Sequence, residues 1–303
     1  MTAAGFRARL PDLALWAVAC IWGGTFLVTR IALAAGCGPY FFVGLRFGAA
    51  TVATMLLLRG RLRGATRQDW IAAVAIGVPM AAGYLLQTGG LQSVSSSMSA
   101  FLTALYVPLV PLIQWAALKR APAPLSWIGI ALAFAGLVVI AHPWDASFGF
   151  GAGEWMTLAS AVAFSGEIIL IGRFATRIDA GRVAAIDLAI VSAAGFAAMP
   201  FAGEQLPPVS PTLLVCGLGL GVASAFIQLA MNWAQRTVSP TRATLIYASE
   251  PVFAGALGRI AGERLGASGW LGAALILGGV IVSELRPRRW QASPEAAGGT
   301  SLP

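Results

Sequence analysis

Long apolar stretches dominate the chain. Runs of about 20 apolar residues, each long enough to cross a hydrocarbon layer as a helix, recur along most of its length, separated by short connections rich in Gly, Pro and Ser. Helices satisfy their own backbone hydrogen bonds in lipid. The pattern predicts an all-α integral membrane protein with ten transmembrane helices, at about 11–34, 40–58, 70–91, 96–118, 125–141, 152–172, 183–200, 211–235, 240–261 and 267–285.

The second half of this pattern repeats the first at a constant offset of 143 positions. The same residue type recurs without a gap on both sides of a shared proline. Matched pairs are Gln92 and Gln235, Ser96 and Ser239, Ala100 and Ala243, Leu102 and Leu245, Pro108 and Pro251, Trp127 and Trp270, Gly129 and Gly272, Leu132 and Leu275, and Gly136 and Gly279. We therefore expect one five-helix unit at 1–143 and a second at 144–286.

An odd number of spans in each unit has a geometric consequence, because the second unit must enter the membrane upside down. Inverted repeats of this kind are typical of secondary transporters, whose substrate sites lie near the bilayer midplane between the repeats. The polar, small-residue stretch at 287–303 is expected to be a disordered cytoplasmic tail.

Composition agrees with lipid as the main solvent. Of the 303 residues 58% are hydrophobic and only 11% are charged, with a mean hydropathy of +0.79. The formal net charge of +8 is spread over many loops rather than gathered on one basic face, so no nucleic-acid partner is expected. The expected partners are a small-molecule substrate and the lipid bilayer, with monomer or homodimer undecided.

The basic residues predict the orientation of the chain, since short cytoplasmic loops are enriched in Lys and Arg. Placing the N-terminus in the cytoplasm puts sixteen of the twenty basic residues inside. These are Arg7, Arg9, Arg59, Arg61, Arg63, Arg67, Lys119, Arg120, Arg173, Arg177, Arg182, Arg236, Arg242, Arg286, Arg288 and Arg289. Both termini are then cytoplasmic, which requires an even number of spans.

Several motifs resemble the drug/metabolite transporter superfamily, in particular its EamA-type members. The second half carries them most clearly, in Gln235 to Ala243, Glu250-Pro251-Val252-Phe253, Gly262-Glu263-Arg264 and Gly272 to Gly279. In the first half, Trp22 to Phe26, Leu45-Arg46-Phe47 and Ala100 to Pro108 are similar to the matching elements. One departure is Leu118-Lys119-Arg120, which stands where such proteins often have Gly-Glu-Arg, and it argues against a substrate role for this end-of-helix motif.

The resemblance implies a bundle of two inverted five-helix repeats in a bacterial inner membrane. It implies alternating access and the movement of small polar metabolites, often amino acids, out of the cell. A carrier of a larger metabolite or drug, such as a vitamin or a nucleotide-like compound, is the alternative. A receptor or scaffold that does not transport is a third reading, which the inverted repeat disfavours.

Glu250 is the first candidate site residue. It lies ten residues after Pro240, hence roughly 15 Å deep and close to the midplane. Pro251 and its repeat mate Pro108 are expected to kink their helices and to line a central cavity. A charge at this depth points to a cavity, a ligand or a polar partner, so a purely structural hydrogen bond to a neighbouring helix remains open.

Glu167 and Asp187 are two further acids in predicted spans. An unpaired carboxylate in a low dielectric favours uptake of a proton, so Glu167, like Glu250, is a candidate for proton coupling. The alternative for Glu167 is a salt bridge to Arg173 or Arg177. Asp187 lies only a few residues into its span, and we expect it at the cytoplasmic rim.

The remaining candidates for a substrate cavity are one cation and several neutral side chains. The position of Arg46 allows its side chain either to snorkel or to turn inward, and the resemblance at Leu45-Arg46-Phe47 implies the inward orientation. Two pairs at helical spacing are the preferred neutral lining groups, Thr103 with Tyr106 and Gln228 with Asn232. The other neutral candidates are Trp22, Thr25, Gln87 and Tyr247.

Enzymatic chemistry is not indicated by any cluster of residues. We identify no nucleophile, acid–base pair or nucleotide-binding loop, and the single His142 stands beside a proline at a span boundary. Cys20, Cys37 and Cys216 have neither the spacing of a metal site nor the even number of a disulfide framework. We expect no enzyme activity, no metal and no cofactor.

Overall fold

The computed structural model describes residues 3–58, 64–118, 124–141, 151–263 and 266–284. Within these ranges the chain is helical and contains no strand, which confirms the all-α prediction. The helices are α1 Ala3–Ala34, α2 Pro39–Leu58, α3 Arg67–Gly90, α4 Ser96–Thr103, α5 Tyr106–Leu118, α6 Pro124–Ala141, α7 Ala152–Phe174, α8 Ala180–Ala198, α9 Pro211–Ala234, α10 Pro240–Tyr247, α11 Glu250–Ile260 and α12 Ala267–Glu284.

Seven helical segments are long and apolar enough to cross a membrane, and shorter apolar helices lie at 127–136 and 267–279. The seven are Arg9–Ala34, Pro39–Leu58, Arg67–Gly90, Ser96–Ala117, Ala152–Phe174, Ala180–Ala202 and Pro211–Ala234. Large apolar side chains such as Leu56, Leu57 and Val222 stay exposed on these helices, as lipid-facing side chains would. The predicted tail at 287–303 lies outside the described residues.

The helices pack in pairs that repeat between the two halves. Helix α3 packs on α7 and α8, and correspondingly α9 packs on α1 and α2. Helix α2 packs on α8, and α6 packs on α12, so each of these helices contacts its own counterpart. Such self-paired contacts are expected along an axis that relates two similar units.

The directions of α1 and α7 follow from contacts at their ends. Arg30, near the end of α1, forms an ion pair with Glu263, while Asp12, near its start, pairs with Arg242. Helix α7 begins with Gly153 against Gly90 and ends near Pro240. We call the two ends of the bundle the Glu263 end and the Asp69 end, after the acids that lie there. Helix α1 runs towards the Glu263 end, and α7 runs away from it.

Two Gly-Glu pairs fasten the Glu263 end. After α11, Gly262 adopts a left-handed conformation with φ 90°, and the Glu263 N–H donates to the Gly258 carbonyl, which closes the helix. Gly203 has φ 67° and precedes Glu204 in the same way. In both turns the glycine supplies a backbone conformation that a side chain disfavours, and the glutamate after it points at the start of another helix.

Each glutamate accepts hydrogen bonds from backbone N–H groups at the start of another helix. Glu204 accepts from the N–H groups of Tyr40 and Phe41 at 3.0 and 2.8 Å, at the start of α2. Glu263 accepts from the N–H and hydroxyl groups of both Ser96 and Ser97, at the start of α4, and from Arg30 at 3.0 Å. Ser96 and Ser97 therefore bind a carboxylate from the other half of the chain, while Ser95 caps α4 by accepting the Met98 N–H at 3.2 Å.

At the Asp69 end a carboxylate again joins the two halves. Asp69 completes a capping box with Thr66 at the start of α3. Its second oxygen accepts the Asp179 N–H at 3.1 Å, just before α8, and Arg182 lies 3.6 Å away. Helices α3 and α8 are thus fixed together at this end.

The contacts of Glu263 predict a pH-dependent contribution to stability. Burial raises the pKa of Glu263, but hydrogen bonds from Ser96 and Ser97 outweigh this and hold the pKa below its usual value. A carboxyl group with a lowered folded-state pKa stabilises the fold above its unfolded-state pKa, and that contribution is lost as the pH falls through the folded-state value.

Glu263→Gln should therefore lower the apparent melting temperature of the detergent-solubilised protein at neutral pH, through a loss of roughly 1–3 kcal/mol. The difference from wild type should shrink in acid, where wild-type Glu263 is itself protonated. Glu154→Gln, which alters an acid at the start of α7, is the control. An unchanged melting temperature for the Glu263 variant at neutral pH would contradict this account.

Candidate functional site

Two broken helices place polar groups in the middle of the bundle. The predicted fourth and ninth spans each divide into two helices, at residues 104–105 and 248–249. Each break precedes a proline, Pro108 or Pro251, which cannot donate to the carbonyl four residues back. In the first break Val107 takes over that role and donates its N–H to the Ala104 carbonyl at 3.0 Å.

The residues that start the second halves meet across the bundle. Tyr106 begins α5 and Glu250 begins α11, and the Tyr106 hydroxyl donates to the Glu250 carboxylate at 2.9 Å. Both side chains are buried. Because Glu250 is the first residue of α11, its carboxylate also lies at the partially positive end of that helix.

A cavity enclosing about 360 Å³, including its opening, lies beside this pair. Helices α1, α3, α4, α5, α7 and α11 contribute its walls. Its lining residues are Trp22, Thr25, Phe26, Tyr84, Gln87, Thr103, Tyr106, Phe164, Glu167, Ile168 and Glu250. The wall thus combines five aromatic residues with three neutral polar residues, two acids and one isoleucine.

The polar groups of the wall are linked in short chains. Gln87 donates to the Thr103 hydroxyl at 3.2 Å, so α3 and α4 are joined at the cavity. Gln228 on α9 donates to Asp187 at 3.1 Å and to Glu167 at 3.5 Å. Gln228 therefore connects a carboxyl group on the wall to a second one behind it.

Neither cavity carboxyl group has a cationic partner within the described part of the chain. The ion pairs found there involve Asp12, Asp69 and Glu263. Glu250 has the Tyr106 hydroxyl and Glu167 has the Gln228 amide. A buried carboxylate with only neutral donors is costly in an apolar surrounding, which makes both groups candidates to bind a proton or a cationic ligand.

Arg46 lies behind the wall rather than on it. Its guanidinium donates to the Ser224 hydroxyl at 2.8 Å and lies 5.1 and 5.2 Å from the ring centres of Phe47 and Tyr84. Only 3% of the residue is exposed, so it turns inward as expected. Tyr84 is the wall residue, and its ring stands between the guanidinium and the cavity.

The structure brings together most, but not all, of the predicted cavity residues. Seven lie on the wall, namely Trp22, Thr25, Gln87, Thr103, Tyr106, Glu167 and Glu250. Four lie in the layer behind it, namely Arg46, Gln228, Asn232 and Tyr247. Of these, Gln228 bonds Glu167, and Tyr247 packs edge-on against Trp22 with ring centres 4.9 Å apart.

Three expectations need correction. Asp187 is fully buried and bonded to Gln228, not at the rim, because α8 begins three residues earlier than predicted and Asp187 lies two turns inside it. Pro108 and Pro251 break their helices but are not among the residues of the wall. The alternative ion pair of Glu167 with Arg173 or Arg177 is not among those formed by the described residues.

Sequence reasoning missed four wall residues: Phe26, Tyr84, Phe164 and Ile168. Phe26, Phe164 and Ile168 are ordinary apolar residues in apolar helices, so no sequence signal separates them from lipid-facing or core positions. Tyr84 did carry a signal. It is one of only four tyrosines, and it lies three residues before Gln87, on the same face of α3.

The fold and cavity define a multi-pass helical membrane protein built from two similar halves around a polar centre. The model of the EamA-like transporter family matches the chain twice, at residues 9–142 and 151–285. The chain belongs to this family, which confirms the resemblance seen in the sequence motifs.

Relatives cover nearly the whole chain. An "Uncharacterized transporter" of Archaeoglobus fulgidus is 30% identical over 94% of this chain and 89% of its own length. The "Uncharacterized inner membrane transporter YedA" of Escherichia coli K12 is 30% identical over 96% of both chains. A protein known from a crystal structure is 20% identical and shares the fold, with a TM-score of 0.70 over 91% of this chain and 98% of its own.

The geometry predicts that the Glu250 carboxylate, unlike that of Glu263, does not stabilise the fold. Glu250→Gln retains an acceptor for the Tyr106 hydroxyl and removes a charge for which the described part of the chain supplies no cationic partner. We expect an apparent melting temperature equal to or above that of wild type, the opposite sign to Glu263→Gln. A fall as large as that of the Glu263 variant would show that Glu250 is a structural residue.

Proposed function

We propose that this protein is a secondary transporter that moves a small metabolite by alternating access through the cavity. The observation that carries the proposal is the juxtaposition of Glu250, Glu167 and two broken helices at the centre of the bundle. Broken helices at mid-membrane and ionisable groups on a cavity are recurrent features of secondary transporters.

The architecture we infer is ten spans in two inverted repeats, at 1–143 and 144–286. The two family matches, the paired helix contacts and the opposite directions of α1 and α7 support it. Helices α10 and α11 together would form the ninth span, and α6 and α12 the fifth and tenth. Alternating access would then be a rocking of one repeat against the other.

We infer that the Asp69 end faces the cytoplasm of a bacterium and that the protein lies in the inner membrane. Short loops and helix ends at the Asp69 end carry a set of arginines, as cytoplasmic segments do. They are Arg67, Arg173, Arg177, Arg182, Arg236 and Arg242. The Escherichia coli relative named an inner membrane transporter supports the same location.

The proposed substrate is a small metabolite with an amino group, with amino acids as the first class to test, and the proposed direction is export. The cavity encloses only about 360 Å³ even with its opening included, and this small size suits such a compound better than a vitamin or a nucleotide. Coupling to a proton gradient is assigned to Glu167 and Glu250, which would take up a proton when the substrate leaves.

The test is transport into proteoliposomes that hold the purified full-length protein. With an imposed pH gradient, wild type should accumulate a labelled amino acid, and Glu167→Gln and Glu250→Gln should reduce uptake to that of empty vesicles. Glu154→Gln should behave as wild type, because Glu154 lies on the same helix as Glu167 but away from the cavity.

Two results would count against the proposal. A flux that changes neither with the pH gradient nor with the two substitutions would exclude proton coupling and indicate a facilitative carrier. If a broad set of labelled amino acids and amines shows neither gradient-driven uptake nor counterflow, transport itself fails.

A further inference from the structure

The ionisable groups on the cavity wall are all acidic. Two carboxyl groups, Glu167 and Glu250, lie on the wall. A third, Asp187, is linked to Glu167 through Gln228, whose amide donates to both. The wall includes no Lys, Arg or His among the described residues. Arg46 is the nearby cation, and the ring of Tyr84 stands between it and the cavity.

Aromatic rings form most of the remaining surface. Trp22, Tyr84 and Tyr106 line the cavity together with Phe26 and Phe164. Two of these rings contact each other, since Tyr84 and Phe164 pack edge-on with their centres 5.0 Å apart. Aromatic faces attract ammonium groups, and an enclosing set of rings is a recurrent way to bind quaternary and alkylated amines.

An anionic ligand group would meet no cationic side chain among the described residues of this wall. Three of its neutral donors are already engaged: the Gln87 amide donates to Thr103, the Tyr106 hydroxyl to Glu250, and the Thr25 hydroxyl to the Trp22 carbonyl. The start of α11 is partially positive, but Glu250 is its first residue and already places a carboxyl group there. A ligand carboxylate would therefore be desolvated near two acids with no counter-charge on the wall.

We propose that the cavity binds the ammonium group of an organic cation and prefers ligands that carry no carboxylate. This rests on the proposed transport function and sharpens its substrate class from amino acids to amines. Glu167 and Glu250 supply the counter-charge, and the aromatic wall takes the apolar part of the ligand. Binding such a cation also relieves the cost of the two unpaired carboxyl groups.

The test compares ligands that share an apolar side chain and differ in whether they carry an ammonium group, a carboxylate or both. One set is phenylethylamine, phenylalanine and phenylpropanoate, and a second is isobutylamine, valine and isovalerate. Each is added at equal concentration to purified full-length protein, and the rise in apparent melting temperature is measured, since a ligand that binds the folded state stabilises it. We expect the amine of each set to stabilise most, the amino acid less, and the carboxylate not at all.

Variants identify the site of binding. Glu167→Gln and Glu250→Gln should each weaken amine binding about tenfold or more, as expected for the loss of a charge-assisted contact. Glu154→Gln is the matched control on α7 and should leave it unchanged. Stabilisation by amines that persists in both cavity variants would place binding elsewhere and overturn the proposal.

The remaining outcomes separate this inference from the proposed function. If neither amine stabilises the protein, or if an amino acid or carboxylate matches its amine, cation selectivity is wrong even where flux is observed. If amines bind through Glu167 and Glu250 but are not moved across the membrane of proteoliposomes, the proposed transport function is wrong and the proposed binding site is correct.

Discussion

Two carboxyl groups, held in an apolar bundle without a cationic partner among the described residues, are the constraint on which the structure depends. An acid at the centre of a membrane helix costs about 2.5–3.5 kcal/mol on insertion scales, so it persists only with local compensation. Here the compensation is partial: a tyrosine hydroxyl and the start of α11 for Glu250, and a glutamine amide for Glu167. In the proposed mechanism, the deficit that remains is what favours binding of a proton or a cation in the cavity.

The rest of the fold holds this centre in place. Breaks before Pro108 and Pro251 allow Tyr106 and Glu250 to start new helices at the middle of the bundle. The Glu263 end is fastened by carboxylates at the starts of α2 and α4, each set in position by a glycine turn. The carboxylates of Asp69, Glu204 and Glu263 at the ends accept hydrogen bonds on both oxygens. Among the described residues Glu167 and Glu250 at the centre each have one neutral donor, and this contrast separates structural acids from candidate functional ones.

Much of this was accessible from the sequence because it depends on position along a helix. Approximate helix bounds, the duplication and a distortion near each proline follow from apolar length, offset and proline chemistry. Rotation about a helix axis is harder to predict. Gln228 and Asn232 share a face as predicted, but that face lies one layer behind the wall, and Arg46 turns inward only to meet the ring of Tyr84. Thr103 and Tyr106 reach the wall from two different helices, although their spacing had suggested one.

Alternating access to the cavity is the central claim, and the reactivity of a single cysteine tests it most directly. Thr103→Cys, made in a chain whose Cys20, Cys37 and Cys216 are replaced by serine, places a thiol on the wall. A membrane-impermeant maleimide is then applied to right-side-out and inside-out vesicles. The account predicts labelling from both sides and protection by a bound ligand. Labelling from one side alone under every condition, unchanged by ligands, would contradict it.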